Sequence, residues 1–248
     1  MKNEQILNFE KKVFSQNGED GIIQFILSCI GTENKFYVEF GVQDGTECNT
    51  RYLREACGFS GLMMDGGFEN KSIGLYKEFI TAENINSLFK KYDVPDKFDL
   101  LSIDIDYNDL WVWKAIDLQY KPNIVVIEYN STFPPPLSVT VPYKHDGVWD
   151  QTSYFGASVS ALNYIAQEKG YSLVYCDKRG VNAFFILDDL LLKMPNIKKL
   201  TPEEAYSVAK YGNCLYRICE KDIMGHRYFD ENQKKMIEYP SGKPIKIF

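Results

Sequence analysis

Acidic side chains close successive apolar runs in this chain: Glu39, Asp65, Glu83, Asp104 and Glu128. In an open parallel sheet all carboxyl ends point to one edge, so carboxylates placed this way converge on one crevice. Like charges gathered there are costly unless a cation or hydrogen-bond donors answer them. A ligand carrying ribose hydroxyls, an amino group and a positive charge fits that requirement. A pyrophosphate fits it badly, because phosphate oxygens need backbone amides and Lys or Arg.

The extended run Phe36 to Phe40 stops at a loop holding Gly41 and Gly45, where the missing Cβ lets the backbone bend and approach a ligand. Glu39, late in that run, is placed to accept hydrogen bonds from the ligand. Asp65 closes the next run roughly 20 residues beyond the loop, the spacing at which an acidic side chain accepts from ribose hydroxyls. A solvated loop aspartate is the competing reading. Asp104 ends one run, and Glu128 and Asn130 end the run expected beside it. Oxygen ligands on neighbouring strand ends suit Mg2+, Mn2+ or Ca2+. Alternatively, Asp104 bonds a cofactor and Glu128 caps a loop. Asp106, one strand step past Asp104, serves either scheme.

Positioning these residues requires alternating strands and helices. Strands are expected over 36–40, 61–65, 79–82, 98–103, 124–127, 171–176 and 181–187, the last two close enough to pair antiparallel. The run 124–127 is apolar on both faces, as a central parallel strand should be. Helices are expected from 22, 50–56, 85–92, 111–118, 157–169 and 202–211. Ser15 or Asn17 is the expected cap of the first, with Glu19 and Asp20 complementing its dipole. Residues 131–155 contain Pro134, Pro135, Pro136 and Pro142, which argues against regular structure and for a lid or substrate wall. No repeat or linker interrupts the chain. Residues 1–248 therefore read as one domain, with a core at 13–187, a substrate or lid loop at 131–156 and a C-terminal extension at 194–248.

Composition narrows the partners. The formal charge is −6 and no basic run occurs, which argues against a nucleic-acid substrate. Six cysteines without C-x-x-C spacing read as reduced thiols in a cytoplasmic protein rather than a disulfide frame or zinc site. The charged N-terminus lacks the apolar core of a signal peptide, and no stretch approaches a membrane span. A homodimer is left open.

The motifs Ser15-Gln16-Asn17-Gly18-Glu19-Asp20-Gly21, Val38-Glu39-Phe40-Gly41 with Asp44-Gly45, Ala82-Glu83-Asn84-Ile85, Ser102-Ile103-Asp104-Ile105-Asp106 and Val126-Ile127-Glu128-Tyr129-Asn130 stand in fixed order. Together they resemble the FkbM-like S-adenosylmethionine-dependent methyltransferases. The resemblance implies an α/β, Rossmann-like class I methyltransferase fold. Its central sheet would be mostly parallel with an antiparallel last strand, and helices would cover both faces. It also implies a small-molecule acceptor, often a sugar in surface-polysaccharide or secondary metabolism. Carried over, Glu39, Gly41, Asp44 and Gly45 match the motif holding the methionine end of the cofactor, and Asp65 takes the ribose position. Glu83 and Asn84 fall at the adenine or ribose edge, and Gln16 and Gly18 match a polar element closing over the site. Asp104 is grouped with the cofactor ligands as well as with the metal set.

Methyl transfer to an alcohol needs alignment and removal of the acceptor proton. His145, in the long loop, and Asp106 are the candidates for that base, against a solvated loop histidine; His226 reads as structural or exposed. Two other readings remain: an NAD-dependent oxidoreductase, opposed by the missing G-x-G-x-x-G, and a non-catalytic methyltransferase-like interaction module.

Overall fold

The computed structural model describes residues 3–208, 210, 211, 214, 215 and 226–238, with backbone alone at 211, 214, 215, 237 and 238. Its strands are β1 (Phe36–Phe40), β2 (Ser60–Asp65), β3 (Leu75–Lys77), β4 (Lys97–Ile103), β5 (Lys121–Glu128), β6 (Val139–Thr140), β7 (Tyr171–Cys176), β8 (Asn182–Leu187), β9 (Lys210–Tyr211), β10 (Cys214–Leu215), β11 (Arg227–Asp230) and β12 (Lys235–Glu238). The helices are α1 (Glu4–Phe9), α2 (Glu19–Ile30), α3 (Arg51–Ala56), α4 (Ile85–Lys91), α5 (Asp109–Ala115), α6 (Val159–Lys169), α7 (Asp188–Leu191) and α8 (Pro202–Ala205).

A seven-stranded sheet runs β3-β2-β1-β4-β5-β8-β7. The first five strands are mutually parallel, and β8, the last of these seven in chain order, inserts antiparallel between β5 and β7. This is the mostly parallel α/β sheet expected. Strand order reverses between β1 and β4, where open α/β sheets bind ligands outside the carboxyl ends.

Strand alternation divides the apolar residues between two faces. Val38, Phe40, Leu101, Ile103, Val125 and Ile127 share a core with residues of α4, α5 and α6. Tyr37, Leu100, Ile124, Val126, Phe184 and Ile186 share the other core with residues of α1, α2 and α3. Continued to the carboxyl edge, the alternation of this second face reaches Glu39, Ser102, Glu128 and Asn182. The register sets Glu39 beside Ser102, Ser102 beside Val126, and Glu128 opposite Asn182. One face of the sheet is therefore apolar at its centre and polar at the edge that faces the cleft.

Several elements depart from expectation. The third strand lies at Leu75–Lys77, not at 79–82, because an edge strand with only Leu75 buried carries little apolar pattern. Neither Ser15 nor Asn17 caps α2; Gly18 is the cap residue, with no side-chain bond. Its first-turn carboxylates reach back instead: Asp20 accepts from the amides of Val13, Phe14 and Ser15 at 2.7–2.9 Å and from the Ser15 hydroxyl at 2.6 Å. Residues 131–155 are not wholly irregular, since β6 pairs with β11, which pairs with β12. Phe133, Val139, Val141 and Tyr228 form a small core beneath them, so the tail braces this loop. The helix expected over 202–211 stops at Ala205 after a Thr201–Glu204 capping box. Cys29, Cys48 and Cys57 are free thiols, and the side chains of Cys214 and Cys219 lie outside the described residues. Among the described residues, no helix is long and apolar enough to cross a membrane.

Gly41 carries the tightest constraint at the switch point. Its φ is +70°, and an added Cβ would sit 1.5 Å from the Asp104 carbonyl oxygen. Gly41→Ala should therefore cost at least about 2 kcal/mol in a denaturation experiment, from left-handed strain plus overlap with fixed backbone. A variant as stable as the wild type would contradict this packing.

Candidate functional site

Two cavities open at the carboxyl edge and share Gly41, Gln43 and Asp104 in their walls. The first is an open cleft lined by Gln16, Glu39, Asp44, Asn49 and Asn182 among others. The second is likewise open, with Asp65, Gly66, Phe79, Asp106 and Val148 in its wall. Among the described lining residues of both there is no lysine or arginine.

Glu39 faces the loop more than the cleft. Its carboxylate accepts from the Asn49 amide at 2.8 Å, the Thr50 amide at 3.0 Å and the Thr50 hydroxyl at 2.5 Å. It thereby takes the amides that precede α3. Burial raises its pKa, and these bonds only partly oppose the rise. Asp65 ties two loops while lining the second cavity: Oδ2 accepts from the Gln43 amide at 2.8 Å, and Oδ1 from the amides of Gly67 and Phe68 at 2.7 and 3.2 Å. Gln16, Gly41 and Asp44 line the first cavity, whereas Gly18 and Gly45 do not. The Thr46 hydroxyl and amide hold the Asp44 carboxyl below its usual range.

Glu83, Asn84 and His145 lie outside both cavities. Glu83 is exposed and accepts from the Tyr143 hydroxyl, with His145 Nδ1 at 3.4 Å. The Tyr143 bond is the main reason its pKa falls to about 2. Asn84 closes a turn, accepting from the Thr81 amide at 2.8 Å and donating its own amide to the Thr81 hydroxyl at 3.2 Å. The wall assigned to Glu83 and Asn84 is instead built by Glu78, Phe79 and Ile80. His226 is exposed and stacks on Tyr154 at 4.3 Å.

The expected metal set is changed by one member. Asp104, Asp106 and Glu128 each offer an oxygen within 4.8 Å of the others. Asn130 is spent on the loop, donating to the carbonyls of Ser153 and Phe155, both at 2.9 Å, and accepting from the Thr132 amide at 2.9 Å. Asp106 takes its place, held at φ 63° just beyond β4. Two buried oxygens at this edge, Glu128 Oε2 and Asp109 Oδ2, have no hydrogen-bond partner among the described residues. Burial, then mutual repulsion within the cluster, pushes Asp104 and Glu128 well above the usual carboxylate range. Burial likewise raises Asp109 to about 7, against the bond its Oδ1 accepts from the Ile105 amide. Three carboxyls that are all raised, one of them with an orphaned oxygen, make a donor set that fits a hard divalent cation.

Asn182 and Asp109 are site residues that sequence reasoning passed over. Asn182 had a signal, as the polar member of an otherwise apolar strand. Asp109 had none beyond its place in the first turn of a helix.

No protein-family model matches this chain, and no curated protein matches it. Among solved structures it is similar to the N-terminal domain of EvdMO1, solved in the presence of SAH and D-fucose. That likeness has 11% identity and a TM-score of 0.42, over 74% of this chain and 93% of that one. It is also similar to an O-methyltransferase family protein from Burkholderia thailandensis, at 14% identity and a TM-score of 0.39, over 74% of this chain and 65% of that one. Likenesses of this size fix neither family nor activity, which rest on the residues of the cleft.

The acidic cluster gives stability a pH signature. Burial pushes Asp109 up to about 7 in the folded chain, against about 4 when unfolded. The folded state therefore binds the extra proton, and the stability linked to it is lost as pH rises from about 4 through 7. Glu19, Glu78 and Glu83 shift the other way, so the contribution is isolated by difference. Asp109→Asn should gain a few kcal/mol relative to the wild type between pH 4 and 7 in urea titrations; parallel curves would refute the shift.

Proposed function

We propose that this chain is an S-adenosylmethionine-dependent methyltransferase acting on an oxygen of a small molecule. The observation that carries the reading is the sign of the cleft: carboxylates line it at the β1/β4 switch point, and no described lysine or arginine does. Glu39 already holds the amides of Asn49 and Thr50, the place where a pyrophosphate would bind in a dinucleotide fold. An NAD-type cofactor has no such anchor here, whereas a cationic nucleoside meets favourable charge.

In this reading the adenosine occupies the cavity beside Asp65 and Phe79, and the amino-acid end lies beside Gln16 and Asn49. Gly41, between them, lets the backbone approach the ligand. The acceptor enters beneath residues 131–156, whose Gly147 and Val148 wall the second cavity. Such a cofactor would supply a methyl group for in-line displacement by the acceptor oxygen, and a base of this chain would take the hydroxyl proton. Asp106 suits that task better than His145, because it lines the cleft and its pKa is raised by burial and by Asp65. In the alternative scheme Asp104, Asp106 and Glu128 would hold a divalent cation, which would supply charge to orient and acidify the acceptor hydroxyl. A sugar, or a sugar-linked or phosphate-type group in surface-polysaccharide or secondary metabolism, is the acceptor class suggested by the sequence motifs.

Thermal-shift measurements test the cofactor directly. S-adenosylmethionine and S-adenosylhomocysteine should raise the melting temperature and NAD(H) should not; stabilisation by NAD(H) alone would overturn the reading. Asp65→Ala should weaken S-adenosylhomocysteine by ~1–3 kcal/mol, the cost of a lost charged hydrogen bond. Mg2+ or Mn2+ should raise the melting temperature of the wild type more than that of Glu128→Gln. Identical responses of the two proteins would remove the cation from the scheme.

A further inference from the structure

The row of polar residues at the sheet edge ends at Asn182, the first residue of β8, only 3% exposed and in the wall of the first cavity. Its side-chain nitrogen donates to Glu19 Oε1 at 2.9 Å. The other Glu19 oxygen accepts from the amides of Asn17 and Gly18, both at 2.8 Å. Burial opposes ionisation of Glu19, yet these bonds outweigh it and hold the carboxyl below its usual range. An ionised carboxylate only accepts, so it fixes which end of the amide faces it. Asn182 must turn its nitrogen to Glu19 and its oxygen away. That oxygen, Oδ1, is buried and has no partner among the described residues. A buried acceptor without a donor is unfavourable, and a ligand that brings a donor removes the cost.

We propose that Asn182 Oδ1 accepts a hydrogen bond from the α-ammonium group of S-adenosylmethionine, with Glu19 as the residue that orients it. The inference rests on the reading of this cleft as a cofactor site. Among the groups at the amino-acid end, the carboxylate and the sulfonium carry no proton to donate, and the ammonium does. Its charge suits a cavity walled by Glu39, Asp44, Glu47 and Asp104. Two basic side chains that reach the wall of this cavity are already engaged, Lys12 with Glu47 and Arg51 with Glu55, both at 2.8 Å. Asn182 is thus a binding residue that selects for an amino acid, not merely a nucleoside, at this end of the cleft.

Calorimetric titration of the full chain with S-adenosylhomocysteine and with its deaminated analogue tests this. The wild type should bind the deaminated analogue about tenfold or more weakly, and equal affinities would overturn the inference whatever any variant does. Asn182→Ala should weaken S-adenosylhomocysteine about tenfold while leaving the deaminated analogue unchanged. Equal weakening of both ligands, or of neither, would also overturn it. Glu19→Gln should reduce the same discrimination by freeing the amide to turn; full discrimination in that variant would remove Glu19 as the orienting group. A wild type that binds neither ligand overturns the cofactor reading itself, an outcome distinct from binding both equally.

Discussion

A carboxylate at the end of β1 takes the two amide protons that precede α3. In many open α/β sheets that position belongs to a phosphate, and filling it with Glu39 settles two matters at once. The loop from Gly41 to Thr50 is tied to the strand that feeds it, because Thr50 gives Glu39 both its amide and its hydroxyl. The same bond turns the sign of the pocket, since a protein anion now stands where a ligand anion would. Asp65 repeats the device one strand over, pinning the Gln43 amide and the turn at Gly67. Two buried acids thus shape the cleft from within, at the level of backbone geometry, before any ligand is considered.

Beyond these two, the acidic edge is under-compensated. Burial, then repulsion within the cluster, raises Asp104, Asp109 and Glu128 above the usual carboxylate range, and Asp106, exposed at the rim, is raised by partial desolvation and by Asp65. A protein that needed only stability would place apolar residues or a paired arginine here, because buried unpaired acids are a net cost. Perturbed titratable groups gathered in a cleft are the usual mark of a functional site. The strain falls on the edge of the sheet while both faces below it stay apolar and closely packed. Stability and chemistry are kept in separate layers of one sheet.

Much of this was legible in the sequence, for reasons that differ by residue. The central strands could be read because parallel strands buried on both faces leave apolar runs such as Ile124 to Ile127. The edge strand at Leu75 could not, because a three-residue strand with one buried side chain leaves no pattern. Glu39, Asp65, Asp104 and Glu128 were visible as acids closing those runs, and they do reach one edge. Glu83 was visible for the same reason and misled, because the run before it is not a strand and its carboxylate turns outward to Tyr143. His145 looked catalytic from its loop alone, and that loop carries it to Glu83 rather than into the cavities. Asn130 was paired with Glu128 by proximity in sequence, but the demands of residues 153 and 155 claim its amide. What a sequence conceals here is direction: it shows which side chains reach an edge and not which way each one turns.

The acidic cleft at the β1/β4 switch point is proposed to accept a cationic nucleoside cofactor. A crystal structure of the chain with S-adenosylhomocysteine tests it most directly. Adenosine density is expected beside Asp65 and Phe79 and the amino-acid end beside Asn182, with Gly41 between them. Density at another surface, or a reversed ligand with its adenine against Asn182, would contradict it.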